Sequence, residues 1–176
     1  MKKILSLLVV LTLAACTSGI QSGTNTETYE GYQASGPISG YSSETIQLRQ
    51  AELINALRAE NGLSPLQPSA ALTSAALTHA RDISSQQRAW NYGSNKSTPQ
   101  SRAERAGFVG VVTGEMVAET YEGEVPVVRS WLSNPITRQA ILNSSANEVG
   151  IAYFMEPSGK VWWVTVIGQN GGSQNN

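Results

Sequence analysis

The sequence predicts an α+β domain in which helices cover an antiparallel sheet. Three observations carry this expectation. Two long runs with apolar residues three and four apart open the folded part. Two short apolar runs separated by a Pro- and Gly-containing turn close it. Between them helices and strands do not alternate in the regular way a doubly wound parallel sheet requires.

At the start of the chain Lys2 and Lys3 precede the apolar run Ile4 to Leu13. That run is too short to cross a bilayer, which takes roughly 20 residues, so residues 1–15 read as a signal peptide. The stretch Leu13, Ala14, Ala15, Cys16 resembles the bacterial lipobox, which implies cleavage before Cys16 and acylation of its sulfur and amino group. Cys16 is the only cysteine, so no internal disulfide exists and packing must supply the stability. Several acyl chains would hold the protein stably on a membrane. In a host with two membranes, Thr17 in place of an inner-membrane retention aspartate points to the outer membrane and an envelope location.

The full chain has 12 basic and 13 acidic residues and a net charge of −1. Removing residues 1–15 takes two basic residues and no acidic ones, leaving a charge of about −3. No basic patch stands out that would neutralise several phosphates, which argues against nucleic acid as a partner. Residues 16–43 are dominated by Gly, Ser, Thr and Gln without apolar periodicity and read as a lipidated flexible tether. Residues 44–169 then form one domain of common size, and 170–176 a disordered tail.

Within the domain, Ile46, Leu53, Ile54 and Leu57 share one face of a helix from near Glu44 to Glu60, ended by Gly62 in a left-handed conformation. A second helix from about Ser69 to Gln87 carries the buried stripe Leu72, Ala75, Ala76, His79, Ala80 and Ile83. Thr98 followed by Pro99 caps a short helix that Gly107 stops. GFVGVVTGEMVAETY has strand character, and a short helix follows around Val125 to Leu132. Asn134 with Pro135 starts another before ITRQAIL. EVGIAYFM and KVWWVTVIG flank EPSG as a terminal hairpin.

Five of these stretches together resemble a known family. INALRAENGLSPLQPSAALTSAALTHARDIS looks like the opening two helices of the CAP superfamily, which includes cysteine-rich secretory proteins, antigen 5 and plant pathogenesis-related protein 1. STPQSRAERAGF, then GEMVAE where the family usually has Gly-Glu-Asn, then WLSNPITRQAIL, then EVGIAYF with WWVTVIG, agree in order and spacing. The resemblance implies a three-layer α-β-α sandwich with an antiparallel central sheet.

Relatives that keep the family cavity place histidines where this chain has Asn91 and Thr137, and a frequent aspartate where it has Asn95. Glu115 stays in register, with Glu119 the candidate for a second carboxylate. Zinc takes neutral imidazole or thiolate ligands, and a catalytic site assembles three protein ligands. Asn91, Thr137 and one glutamate are poor substitutes, so no metal, no cofactor and no metal-activated water are expected.

His79 is the only histidine and sits on the apolar stripe, where a ring nitrogen satisfied by a backbone carbonyl is the expected role. Glu115, beside a glycine at a strand end, could bind a ligand, but the favoured role is structural, satisfying backbone amides and the nearby Arg102 or Arg138. Of Trp90, Tyr92, Trp131, Trp162 and Trp163, most are expected in the core or at its rim, and Trp90 and Tyr92, if exposed together, mark a binding surface. The favoured function is a non-catalytic binding module on an envelope lipoprotein, recognising a protein, glycan or lipid through the loop around Trp90 and the remains of the cavity. The alternatives are a hydrolase built on Glu115 and His79, or a carrier of small apolar molecules.

Overall fold

The computed structural model describes residues 38–171. The expected signal peptide, Cys16 and most of the expected tether lie outside the described residues. Among the described residues no helix is long and apolar enough to cross a membrane.

Helix α1 spans Ser43–Glu60, with the Ser42 side chain accepting from the Thr45 N–H at 3.2 Å. It ends as Gly62 turns left-handed at φ 69° and the Leu63 N–H reaches back to Arg58 O. A two-residue strand β1, Gln67–Pro68, precedes α2, Ala70–Gln86. Helix α3, Pro99–Arg105, opens with a capping box between Thr98 and Ser101. Strand β2 covers Gly110–Glu119, α4 Glu124–Ser133 and α5 Pro135–Ile141, the last capped by the Asn134 side chain on the Ile136 N–H. Strands β3, Glu148–Met155, and β4, Val161–Asn170, form the terminal hairpin.

The sheet order is β1-β3-β4-β2. Every residue from Val161 to Gly168 is buried, because β4 lies between two strands and under helices on both faces. On one face Trp162, Val164 and Val166 pack against Leu72, Ala76, Ala80 and Ile83 of α2 and Ala103 of α3. On the other, Gln50 of α1 donates to the Thr165 hydroxyl at 2.9 Å, with α4 and α5 completing the layer. The result is the expected α-β-α arrangement. Helix α2 runs so close to β3 that a Cβ on Gly150 would stand 2.1 Å from the Leu72 carbonyl carbon, so only glycine fits there.

Three expectations need correction. The sheet is not wholly antiparallel: β1 pairs with β3 in parallel, Gln67 opposite Glu148 and Pro68 opposite Val149. So short a strand, half of it proline, has no periodicity to betray it. The packed chain reaches back before Glu44, since Ile38 is buried and its N–H bonds Glu122 O at 2.9 Å. At the other end Asn170 is the last residue of β4, opposite Gly110, rather than the first of a tail.

Arg58 ties α1 to the end of the α5 layer. Its side chain is fully buried and donates to Ser64 O, Ile141 O, Asn143 O and Ala146 O at 2.8 to 3.2 Å. Burial pushes its pKa down from the ordinary value. Four carbonyl dipoles take the place of water around the guanidinium.

Candidate functional site

Strand β2 is the edge of the sheet on its side. Glu115 lies opposite Val166 in register, which turns its side chain toward the α2 face. There it meets Arg102 of α3, whose Nη2 lies 2.7 and 2.8 Å from the two carboxylate oxygens. The two side chains are 1% and 4% exposed. Arg102 also donates to Ser97 O at 2.9 Å and Asn91 O at 3.2 Å, so one guanidinium holds both the carboxylate and the loop above it.

Asn91 completes the pairing. Its Nδ2 donates to Glu115 Oε1 and to the Glu115 backbone carbonyl, both at 3.0 Å. The second bond belongs to a wider pattern along the edge. The residues of β2 whose backbone points away from β4 are Gly110, Val112, Glu115, Val117 and Glu119, as the ladder with β4 requires. The Gln100 amide donates to Gly110 O at 3.0 Å and accepts from the Val112 N–H at 2.8 Å, as a neighbouring strand would. The Trp131 indole donates to Val117 O at 3.2 Å. Three side chains thus stand in for a fifth strand and close an edge that would otherwise recruit another chain.

His79 is fully buried. Its Nε2 lies 2.8 Å from Trp90 O and therefore carries the ring proton, while Nε2 to Glu115 Oε1 is 3.6 Å. Nδ1 has no hydrogen-bond partner and faces Asp82 Oδ2 at 4.0 Å. Burial lowers the imidazole pKa; Glu115 opposes the shift and Arg102 adds to it. Asp82 accepts the Ser94 N–H at 2.8 Å and the Gln86 amide at 3.0 Å. Its own pKa is lowered because these hydrogen bonds and His79 outweigh the cost of burial, the largest single influence.

Thr137 lies in α5, its hydroxyl donating to Trp131 O. It lines a cleft of about 300 Å³ with Thr113, Gly114, Glu115, Gln139 and Ala140. The structure therefore joins Asn91 to Glu115 directly, while Thr137, on α5, meets the Glu115 segment only across this cleft. Asn95 is elsewhere: exposed, its side chain accepts the Ser97 N–H at 3.0 Å and serves the loop. Glu119, four residues along the same strand and so ~13 Å away, pairs with Lys160 Nζ at 2.8 Å. The two glutamates do not share a site.

A cavity metal does not fit these residues. Glu115 is saturated by Arg102 and Asn91, and the Asn91 amide turns its donor, not its oxygen, toward the carboxylate. Among the described residues no three His, Cys, Asp or Glu side chains converge as metal ligands. Sequence reasoning missed Gln86, Gln100 and Asp82 as parts of this region. Each is an ordinary polar residue whose role depends on a partner remote in sequence or on the fold of the loop.

Comparison with known proteins places this geometry. The model of the cysteine-rich secretory protein family (CAP) matches residues 51–167. The uncharacterized protein YkwD of Bacillus subtilis (strain 168) is 27% identical over 146 residues, covering 83% of this chain and 52% of that protein. The chain thus spans about half the length of this curated relative. Among solved structures, an extracellular protein containing an SCP domain from Bacillus anthracis superposes with a TM-score of 0.66 at 16% identity, over 72% of this chain and 41% of the other. An outer surface protein of Borrelia burgdorferi gives 0.63 at 21% identity, over 68% of this chain and 89% of that one. The motifs, the layered fold and the family match agree: the chain belongs to the cysteine-rich secretory protein (CAP) family.

Proposed function

We propose that this protein is an envelope lipoprotein, anchored through Cys16, whose CAP domain works as a non-catalytic binding module. The observation that carries the reading is the closure of the Glu115 network. Arg102 neutralises the carboxylate, Asn91 spends its amide on it, and both charged side chains are all but removed from solvent. A general base must reach the proton it abstracts, and a nucleophile must reach its substrate. Here Glu115 stabilises the loop from below. In the same loop Tyr92 is exposed and lies beside the half-buried Trp90, ring centroids 5.4 Å apart, which suits recognition. The names of the solved neighbours, one extracellular and one an outer surface protein, accord with a place at the cell surface.

The hydrolase reading rests on His79 and Glu115, 3.6 Å apart. Their side chains are 0% and 1% exposed, and the His79 Nε2 proton is already given to Trp90 O. No substrate atom can approach either group without opening the loop.

The test is capture of components from the protein's own envelope extract by the immobilised full chain, alongside turnover assays on peptide, ester and glycan panels. Capture that falls in Tyr92→Ala, with no turnover in any panel, is the expected result. Turnover abolished by Glu115→Gln, or capture indifferent to Tyr92, Trp90 and Thr137 substitutions, would overturn the reading.

A further inference from the structure

The Trp90 end of the loop holds a depression of about 500 Å³, lined by Gln86, Trp90, Tyr92, Gly93, Ser94 and Lys96. Its walls are fixed before any ligand arrives. The Trp90 indole donates to Gln86 Oε1 at 2.9 Å, and the Gln86 amide donates in turn to Tyr92 O at 3.2 Å and Asp82 Oδ2 at 3.0 Å. The Arg88 guanidinium lies 4.0 Å from the Trp90 ring centroid and holds the indole against the loop. Tyr92, tilted 56° to Trp90, is 59% exposed and offers its ring to solvent. An aromatic surface ordered in advance loses little entropy when a ligand settles on it.

The charge around it has one sign. From Arg81 to Arg102 the chain carries four basic residues and a single acidic one, Asp82, in a protein whose net charge is −1. Arg102 is consumed by Glu115, and Asp82 is occupied by Ser94 and Gln86. Arg88 and Lys96 enter no ion pair among the described residues. Two cations without an acidic partner, Arg88 over the Trp90 ring and Lys96, stand beside an exposed tyrosine and amide and hydroxyl groups and suit a sugar ring that stacks its C–H face on the aromatic, with a carboxylate within reach of the cations. They are too few to neutralise the several phosphates of a nucleic acid. The surroundings are also more hydrogen-bonding than a continuous apolar surface for lipid would be.

Resting on the binding-module reading, we propose that the Trp90–Tyr92 depression binds an acidic polysaccharide, with Tyr92 as the stacking platform and Lys96 and Arg88 as the counter-charges.

The experiment uses the full chain carrying Cys16→Ser, which keeps it unacylated, on surfaces coated with polygalacturonate, uncharged dextran or phosphatidylglycerol vesicles. Saturable binding to polygalacturonate alone is expected, weakening with salt and falling about tenfold in Tyr92→Ala and in Lys96→Asn. Asn is chosen because Lys96 sits at φ 64°, which Asn tolerates. No polygalacturonate binding, equal binding to dextran, binding unchanged in both variants, or Tyr92-dependent capture of vesicles instead would each overturn the proposal. Tyr92-dependent capture from envelope extract without polygalacturonate binding would sink the saccharide alone. Extract capture indifferent to Tyr92, Trp90 and Thr137 substitutions alike would sink the binding module with it.

Discussion

Asn91 binds Glu115 twice through one nitrogen, at 3.0 Å to the carboxylate and 3.0 Å to the backbone carbonyl. This one residue both steadies a buried charge and closes a strand edge. Asn91→Ala removes both bonds and leaves the carbonyl of an edge strand open, at a cost of about 1–2 kcal/mol. The measurement is the midpoint of urea unfolding. Adding Gln100→Ala uncovers Gly110 and Val112 as well, and the double variant is expected to self-associate as concentration rises, read by sedimentation velocity. A double variant that stays monomeric would show that these side chains do not guard the edge.

Arg102→Met strands the Glu115 carboxylate in a site where it is 1% exposed. Breaking one half of a buried pair typically costs about 3–5 kcal/mol, whereas removing both halves is often nearly neutral. Arg102→Met should therefore be among the most destabilising single changes, and adding Glu115→Met should recover much of the loss. Additive losses in denaturant unfolding would mean that the pair is not coupled as the geometry indicates.

Two groups separate in their acid response. Glu156 is held down to about 2 by hydrogen bonds from Ser84, Trp162, Gln87 and Ser158, in that order of influence. A carboxylate depressed on folding stabilises above its unfolded pKa of 4.5 and loses that contribution as pH falls from there toward about 2. His79 is also depressed, by burial, so the unfolded chain takes up its proton first and stability begins to fall as pH drops below 6.5. Glu156→Gln should flatten the lower limb of a stability-versus-pH curve and leave the upper one, and His79→Gln the reverse. Parallel curves for both variants and the parent protein would contradict these assignments.

Arg58→Met keeps the aliphatic bulk and removes the donors to four carbonyls. Each polar group left buried and unpaired costs about 1–3 kcal/mol, so a loss of 3 kcal/mol or more is expected. Hydrogen exchange should show it first between Ile141 and Ala146, where three of the four carbonyls lie. An unchanged midpoint would mean that water replaces the guanidinium at little cost.

Much of this molecule was legible in one dimension. Thr98 with Pro99, Asn134 with Pro135 and EPSG between two apolar runs mark their elements because caps and turns are made by residues adjacent in the chain. The stripe from Leu72 to Ile83 marks α2 because burial on one face leaves its period in the sequence. The order of these elements and their motifs carries the family. Other features left no such trace. Strand β1 exists only because β3 offers it a parallel edge, and Asn170 ends β4 because Gly110 stands opposite. Only the tertiary structure decided that Glu119 serves Lys160 while Glu115, four residues earlier, belongs to Arg102 and Asn91. A strand spaces the two carboxylates regardless of their roles, and their partners come from segments that meet only after folding. By itself the sequence determined where helices begin, which faces seek the core and which family the order of motifs belongs to. The fate of each charge waited on the fold, because the stability of a carboxylate depends on its neighbours and on how little water reaches it.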